Sequence, residues 1–164
     1  MRDEREDDDS TSYPNELHPI LLYDGVCGLC NRMVQFILKR DRRAAFRFAP
    51  LQGPFASRVL KSHGKDPSDL DTIYVVVDGD LADKEKTGAG KPDERLLARS
   101  DAAVFVMREL GGIWRVGATV LGWLPRPVRN WGYGLIARNR YRIFGRHDTC
   151  PVPGENVRER FLDI

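Results

Sequence analysis

Three cysteines in 164 residues are too few, and odd in number, for a disulfide framework. They leave catalysis, metal binding or inert burial as uses for a thiol. Long apolar runs are also missing: the longest candidate, 116-VGATVLGWL-124, is about half the roughly 18 residues a spanning helix needs and stops at Pro125. No membrane span is expected. The chain does not open on a basic segment followed by an apolar one, so it lacks the pattern of a secretory signal, and the cytoplasm is the default compartment. Walker and Rossmann glycine patterns and a Ser-His-Asp arrangement are absent too, and no cofactor is expected.

Charge is lopsided in two places. The first ten residues, MRDEREDDDS, carry six acids against two arginines and nothing apolar after Met1. Residues 1–16 therefore read as a disordered acidic tail, and 17–164 as one domain. From Arg126 to His147 there are six arginines and no acid. That stretch reads as a solvated helix face, with an acidic partner or nucleic acid as the alternatives; for the protein as a whole no nucleic acid is expected.

The remainder is patterned. An apolar run, 19-PILLYDG-25, predicts a buried strand, and from Gly28 to Arg40 the period turns helical, with Leu29, Met33, Phe36 and Ile37 on one stripe. The alternation in 44-AAFRFAPL-51 predicts a second strand, followed by a helix in 54-PFASRVLKSHG-64 that opens on proline. A βαβα order implies parallel pairing of the first two strands. The β-branched run 73-IYVVVDGD-80 is a third strand, 82–94 a solvated loop and 95-RLLARS-100 a returning strand. Ser100 or Asp101 is placed to cap a helix at 102–110. Two further helices, 113–124 and 127–144, carry Trp114, Trp123 and Trp131, read as core. The fold class is α/β in a βαβαββα order, with a C-terminal helical extension over about 113–150.

The sequence 23-YDGVCGLCN-31 puts Cys27-x-x-Cys30 where the first strand gives way to the first helix. Cys27 then meets the helix N-terminus, whose dipole favours a thiolate by roughly 0.3 to 2 kcal/mol. Asp24 opposes this: at about 7 Å and an effective dielectric of about 20 its repulsion is roughly 2 kcal/mol. The sign of the net shift stays open. Cys30, one turn on and flanked by Leu29 and Val34, is expected to be the more buried thiol, able to resolve a mixed disulfide formed at Cys27. Asp24 either takes the proton from Cys30 or makes a turn with Gly25.

Taken together, YDGVCGLCN, FRFAPLQ, the Ser100-Asp101-Ala102 helix start and ARNRYRIFGRHDTC resemble the DCC family of thiol-disulfide oxidoreductases, named for Asp-x-x-Cys-x-x-Cys. The resemblance runs from about Ile20 to Cys150. It implies a thioredoxin-like fold, Asp24, Cys27 and Cys30 as the motif residues, and protein-disulfide oxidoreductase activity; the dithiol is expected to exchange with a protein or low-molecular-weight thiol or disulfide. Thioredoxin itself has a cis-proline before its third strand, where this chain has Asp71 and Thr72, which puts the usual substrate contact in question.

The rival reading joins Cys27 and Cys30 with His147 and Cys150 into a structural zinc site in a non-catalytic binding module. Cys150 is otherwise a third redox thiol or an inert one. His18 and His63 read as structural or solvated.

Overall fold

A computed structural model describes residues 18–77, 95–147 and 154–163. The acidic tail, the loop expected at 82–94 and Cys150 lie outside the described residues.

Four strands of four residues build the sheet: β1 (Ile20–Tyr23), β2 (Arg47–Pro50), β3 (Tyr74–Val77) and β4 (Arg95–Ala98), in the order β2-β1-β3-β4. β1 and β2 are parallel, as their helical crossover requires, and β3 and β4 run antiparallel to their neighbours. Side chains alternate across the pleat. Leu21, opposite Phe48 and Val75, packs on one face; Leu22, opposite Ala49 and Tyr74, packs on the other. Both faces of the central strands β1 and β3 are covered, so these two read as continuous apolar runs, and full burial of each large side chain such as Phe48 stabilises by about 1.5–3 kcal/mol.

The first face carries α1 (Gly28–Arg40), through Val34 and Ile37, and α3 (Arg99–Leu110), through Ala102 and Val106. The second carries α2 (Pro54–Ser62), through Ala56, Val59 and Leu60. This is a thioredoxin-like α/β fold. Two more helices extend it, α4 (Gly112–Trp123) and α5 (Arg126–Phe144), and a short 3-10 helix follows at Glu155–Arg160. Gly111 and Gly112 both take positive φ, and this lets α4 fold back against α3.

The structure corrects several sequence expectations. α3 begins at Arg99 with no side-chain cap: Ser100 Oγ donates to Asn130 Oδ1 at 2.6 Å, and Asp101 pairs with Arg129 at 3.0 Å. Long-range partners on α5 therefore take both candidate caps. Of the three tryptophans, Trp114 meets Phe36 edge-on at 4.8 Å, but Trp123 and Trp131 are 84% and 68% exposed. The chain end also contributes where no period announced it: Phe161 stacks on Phe48 at 5.1 Å, and Leu162 N–H donates to Phe48 O at 2.8 Å.

Candidate functional site

β1 delivers the chain to a tight turn in which Cys27 N–H donates to Asp24 O at 3.3 Å. Asn31 Nδ2 braces that turn, donating to Gly25 O at 2.7 Å and Cys27 O at 3.0 Å. Cys27 is the N-cap of α1, and its Sγ accepts the Cys30 N–H at 3.4 Å. No acid stands in the first turn, so no side chain of α1 itself offsets the positive end of the helix at the sulfur. Both thiols are buried, Cys27 completely and Cys30 nearly so, contrary to the expectation that Cys27 is the more exposed.

The two sulfurs divide one proton. The thiol hydrogen bond from Cys30 brings Cys27 down to about 6; burial resists, while the Cys30 and Leu29 N–H groups and the Arg140 charge help. Cys30 moves strongly upward as the donor in that bond, and burial and the Cys27 charge add to the shift. The question left open by dipole against Asp24 is thereby answered in favour of a Cys27 thiolate. In reduced Cys150→Ser protein, ultraviolet thiolate absorbance is expected to rise with a midpoint near pH 6, as the lowered Cys27 requires. A depressed folded-state pKa adds stability as pH rises through it, so reduced protein should gain stability from pH about 6 to about 8.5 and lose it on acidification. A midpoint near 8.5 would refute the shared-proton geometry.

Asp24 is fully buried, and four donors converge on its carboxylate. Oδ1 accepts Val26 N–H at 3.1 Å and Gln52 Nε2 at 2.7 Å; Oδ2 accepts an Arg140 nitrogen at 3.2 Å and the Tyr141 hydroxyl. A carboxylate has about four lone-pair positions, and all are taken. Gln52 Oε1 also accepts Gly25 N–H at 3.1 Å, which ties the turn to the end of β2.

Arg140 organises the surroundings, and sequence reasoning missed it by reading the arginine run as a solvated face. It is buried, with its Nη2 within hydrogen-bond reach of Asp24 Oδ2, of Leu70 O at 2.6 Å, of Asp71 Oδ1 at 3.2 Å and of Tyr141 Oη at 2.8 Å, four acceptors that share its two N–H groups. Its Nη1 lies 3.9 Å from Cys30 Sγ. Burial first, and the bond to Asp24 second, push the Tyr141 hydroxyl up to about 12, which keeps it a donor. The loop before β3 is held from the same helix, since Tyr133 Oη accepts Ile73 N–H at 2.9 Å. Thr72 is buried and Asp71 reaches Arg140; the peptides there are trans, as are all those described.

A strap closes over the dithiol. After α5, Gly145 O accepts Gly28 N–H at 3.2 Å, Arg146 bridges Cys27 in antiparallel fashion, and His147 N–H donates to Val26 O at 2.7 Å. Gly28 has to be glycine for this approach, because a Cβ there would overlap the Phe144 carbonyl oxygen. His147 thus meets the motif through its backbone. Its side chain is exposed, Cys150 lies outside the described residues, and no group of three metal-ligating side chains is gathered among the described residues.

A family model described as DCC1-like thiol-disulfide oxidoreductase matches residues 21–146. The uncharacterized protein YuxK of Bacillus subtilis is 36% identical over 153 residues, 93% of this chain and 98% of that protein. A DCC family protein of Arabidopsis thaliana, described as chloroplastic, is 32% identical over 143 residues, 87% of this chain and 74% of that protein. No solved structure gives a significant match. No helix among the described residues is long and apolar enough to cross a membrane.

Proposed function

The chain belongs to the DCC1-like thiol-disulfide oxidoreductase family, and from that premise we propose that Cys27 and Cys30 exchange with a disulfide in a protein or small-thiol substrate, Cys27 attacking and Cys30 resolving. The observation that carries this reading is the position of Cys27 Sγ, at the N-terminus of α1 and within hydrogen-bond reach of Cys30.

In the first step the Cys27 thiolate attacks one substrate sulfur and the other leaves as a thiolate, so a mixed disulfide forms as the substrate disulfide breaks. Cys27 is then no longer an anion that accepts the Cys30 proton. The main cause of the raised Cys30 pKa disappears with it, and Arg140, 3.9 Å away, favours the new thiolate. The departing substrate thiolate takes the proton. Cys30 attacks Cys27, the second substrate sulfur leaves, and two electrons have passed from the dithiol to the substrate. Asp24 serves here as a positioning residue that holds Arg140 against Cys30, since taking the proton itself would cost it one of its four donors. A stabilised Cys27 thiolate favours the reduced pair, which raises its reduction potential.

Cys30→Ser removes the resolving thiol and should accumulate mixed disulfides on non-reducing gels of cell lysate, whereas Cys27→Ser should not. Trapping by Cys27→Ser alone reverses the roles. Trapping by neither, in protein whose thiols react with a small alkylating agent, counts against exchange. Trapping lost only in Cys30→Ser/Cys150→Ser makes Cys150 part of the relay.

A further inference from the structure

α5 is amphipathic in the reverse of the usual sense. Its inward face carries Arg129, Tyr133 and Arg140, bound to Asp101, Ile73 N–H and Asp24. Its outward face carries Val128, Trp131, Leu135 and Ile143, all exposed. α4 does the same: Ile113, Val116, Val120 and Trp123 recur at helical spacing, and the first and last are 78% and 84% exposed. A monomeric soluble chain seldom leaves two apolar helix stripes in water, and tryptophan so exposed needs a partner with an apolar body and a polar edge.

What covers them is decided by charge and by what else the chain has to offer. Arg138 and Arg142 fall on the same outward stripe as Trp131 and Leu135, Arg115 lies on α4, and no acid occurs from Gly111 to His147. Two copies meeting through this face would oppose arginine to arginine, which disfavours a two-fold dimer. The segments outside the described residues hold only scattered larger apolar side chains, such as Tyr13, Leu17 and Leu81, too few to cover both stripes. Exposed tryptophan, aliphatic side chains and arginine without acid form the composition that settles at an anionic lipid interface. Neither helix is long and apolar enough to span. We infer that the outward faces of α4 and α5 are a peripheral docking surface for an anionic phospholipid bilayer, on which the helices lie without crossing.

The test uses the full chain, reduced, with vesicles of phosphatidylcholine alone or mixed equally with phosphatidylglycerol. Co-sedimentation with the anionic vesicles is expected, with a blue shift in tryptophan emission and far weaker binding to the neutral ones. Arg138→Gln/Arg142→Gln should weaken anionic-vesicle binding about 30-fold, since each basic side chain near such a surface contributes about 1 kcal/mol. Trp123→Ser/Trp131→Ser and, independently, Val120→Asp should abolish it without changing the urea midpoint, because these side chains contribute little to the core. No binding to either vesicle, equal binding to both, or binding indifferent to the tryptophan and Val120 variants would overturn the inference. So would a concentration-dependent dimer dissociated by Val120→Asp, which would make the face a contact between copies, or a protein partner whose binding that variant abolishes while vesicles fail to bind.

Discussion

Replacing Arg140 by methionine is expected to cost about 3–5 kcal/mol of folding stability, the usual consequence of removing one partner from a buried ion pair. The variant keeps most of the side-chain volume and takes away the guanidinium that faces Asp24, Asp71, Leu70 O and Tyr141. Asp24 is then left fully buried with its charge uncompensated, while its other donors remain. The Cys27 midpoint should rise as well, because the Arg140 charge is one of the causes that lower it. Arg140→Lys should fall between, since it keeps the charge but loses the planar fork. Urea unfolding and thiolate absorbance measure the two effects separately. Asp24→Asn/Arg140→Met should recover much of the lost stability, a coupling that independent residues would not show. A loss below about 1 kcal/mol, the range of exposed pairs, would remove Arg140 from the centre of the site.

Gly28→Ala should expose the dithiol. The added methyl group meets backbone, the Phe144 carbonyl, which cannot step aside as a flexible side chain would. Overpacking of this kind costs about 1–3 kcal/mol, and it falls on the strap alone if α1 holds its place in the core through Val34 and Ile37. The open fraction of the strap should then grow by about 5- to 150-fold, and with it the rate at which iodoacetamide reaches Cys27. Far-ultraviolet circular dichroism should be unchanged. Equal alkylation rates in the parent and the variant would mean that the strap does not limit access, and that Cys27 is reached by another route.

The elements legible in the sequence were those whose cause is local. The β-branched run at Tyr74–Val77, the proline that opens α2 and the strand-to-helix junction at Cys27 each carry their own instruction. The sign of the Cys27 shift did not, because dipole and carboxylate nearly cancel and the largest contribution is the Cys30 thiol hydrogen bond, a side-chain geometry that spacing alone does not give, with a cation on another helix adding to it. Arg140 was present in the quoted ARNRYRIF, yet periodicity gives a helix two faces without saying which turns inward. Arg129, Tyr133 and Arg140 share one side and Val128, Trp131 and Leu135 the other. The ordinary preference for apolar inside chose the wrong one, and it misplaced Trp123 and Trp131 in the core for the same reason. Phe161 and Leu162 join the sheet edge from a segment too short to show any period. The cap expected of Ser100 or Asp101 failed because both side chains found partners on α5.

The bond from Arg140 to Asp24 spans 116 positions of sequence, and this has a consequence for how the protein is made. A ribosome releases the two cysteines early, together with the strand and helix that hold them, but the cation and the phenol that complete the pocket emerge more than a hundred residues later. Until then the nascent chain carries the dithiol without its Arg140 charge and without the strap that shields it. Oxidants and partner thiols meet it in that interval, so translation pauses or truncations before residue 140 should yield chains whose cysteines are present but behave differently from those of the finished molecule.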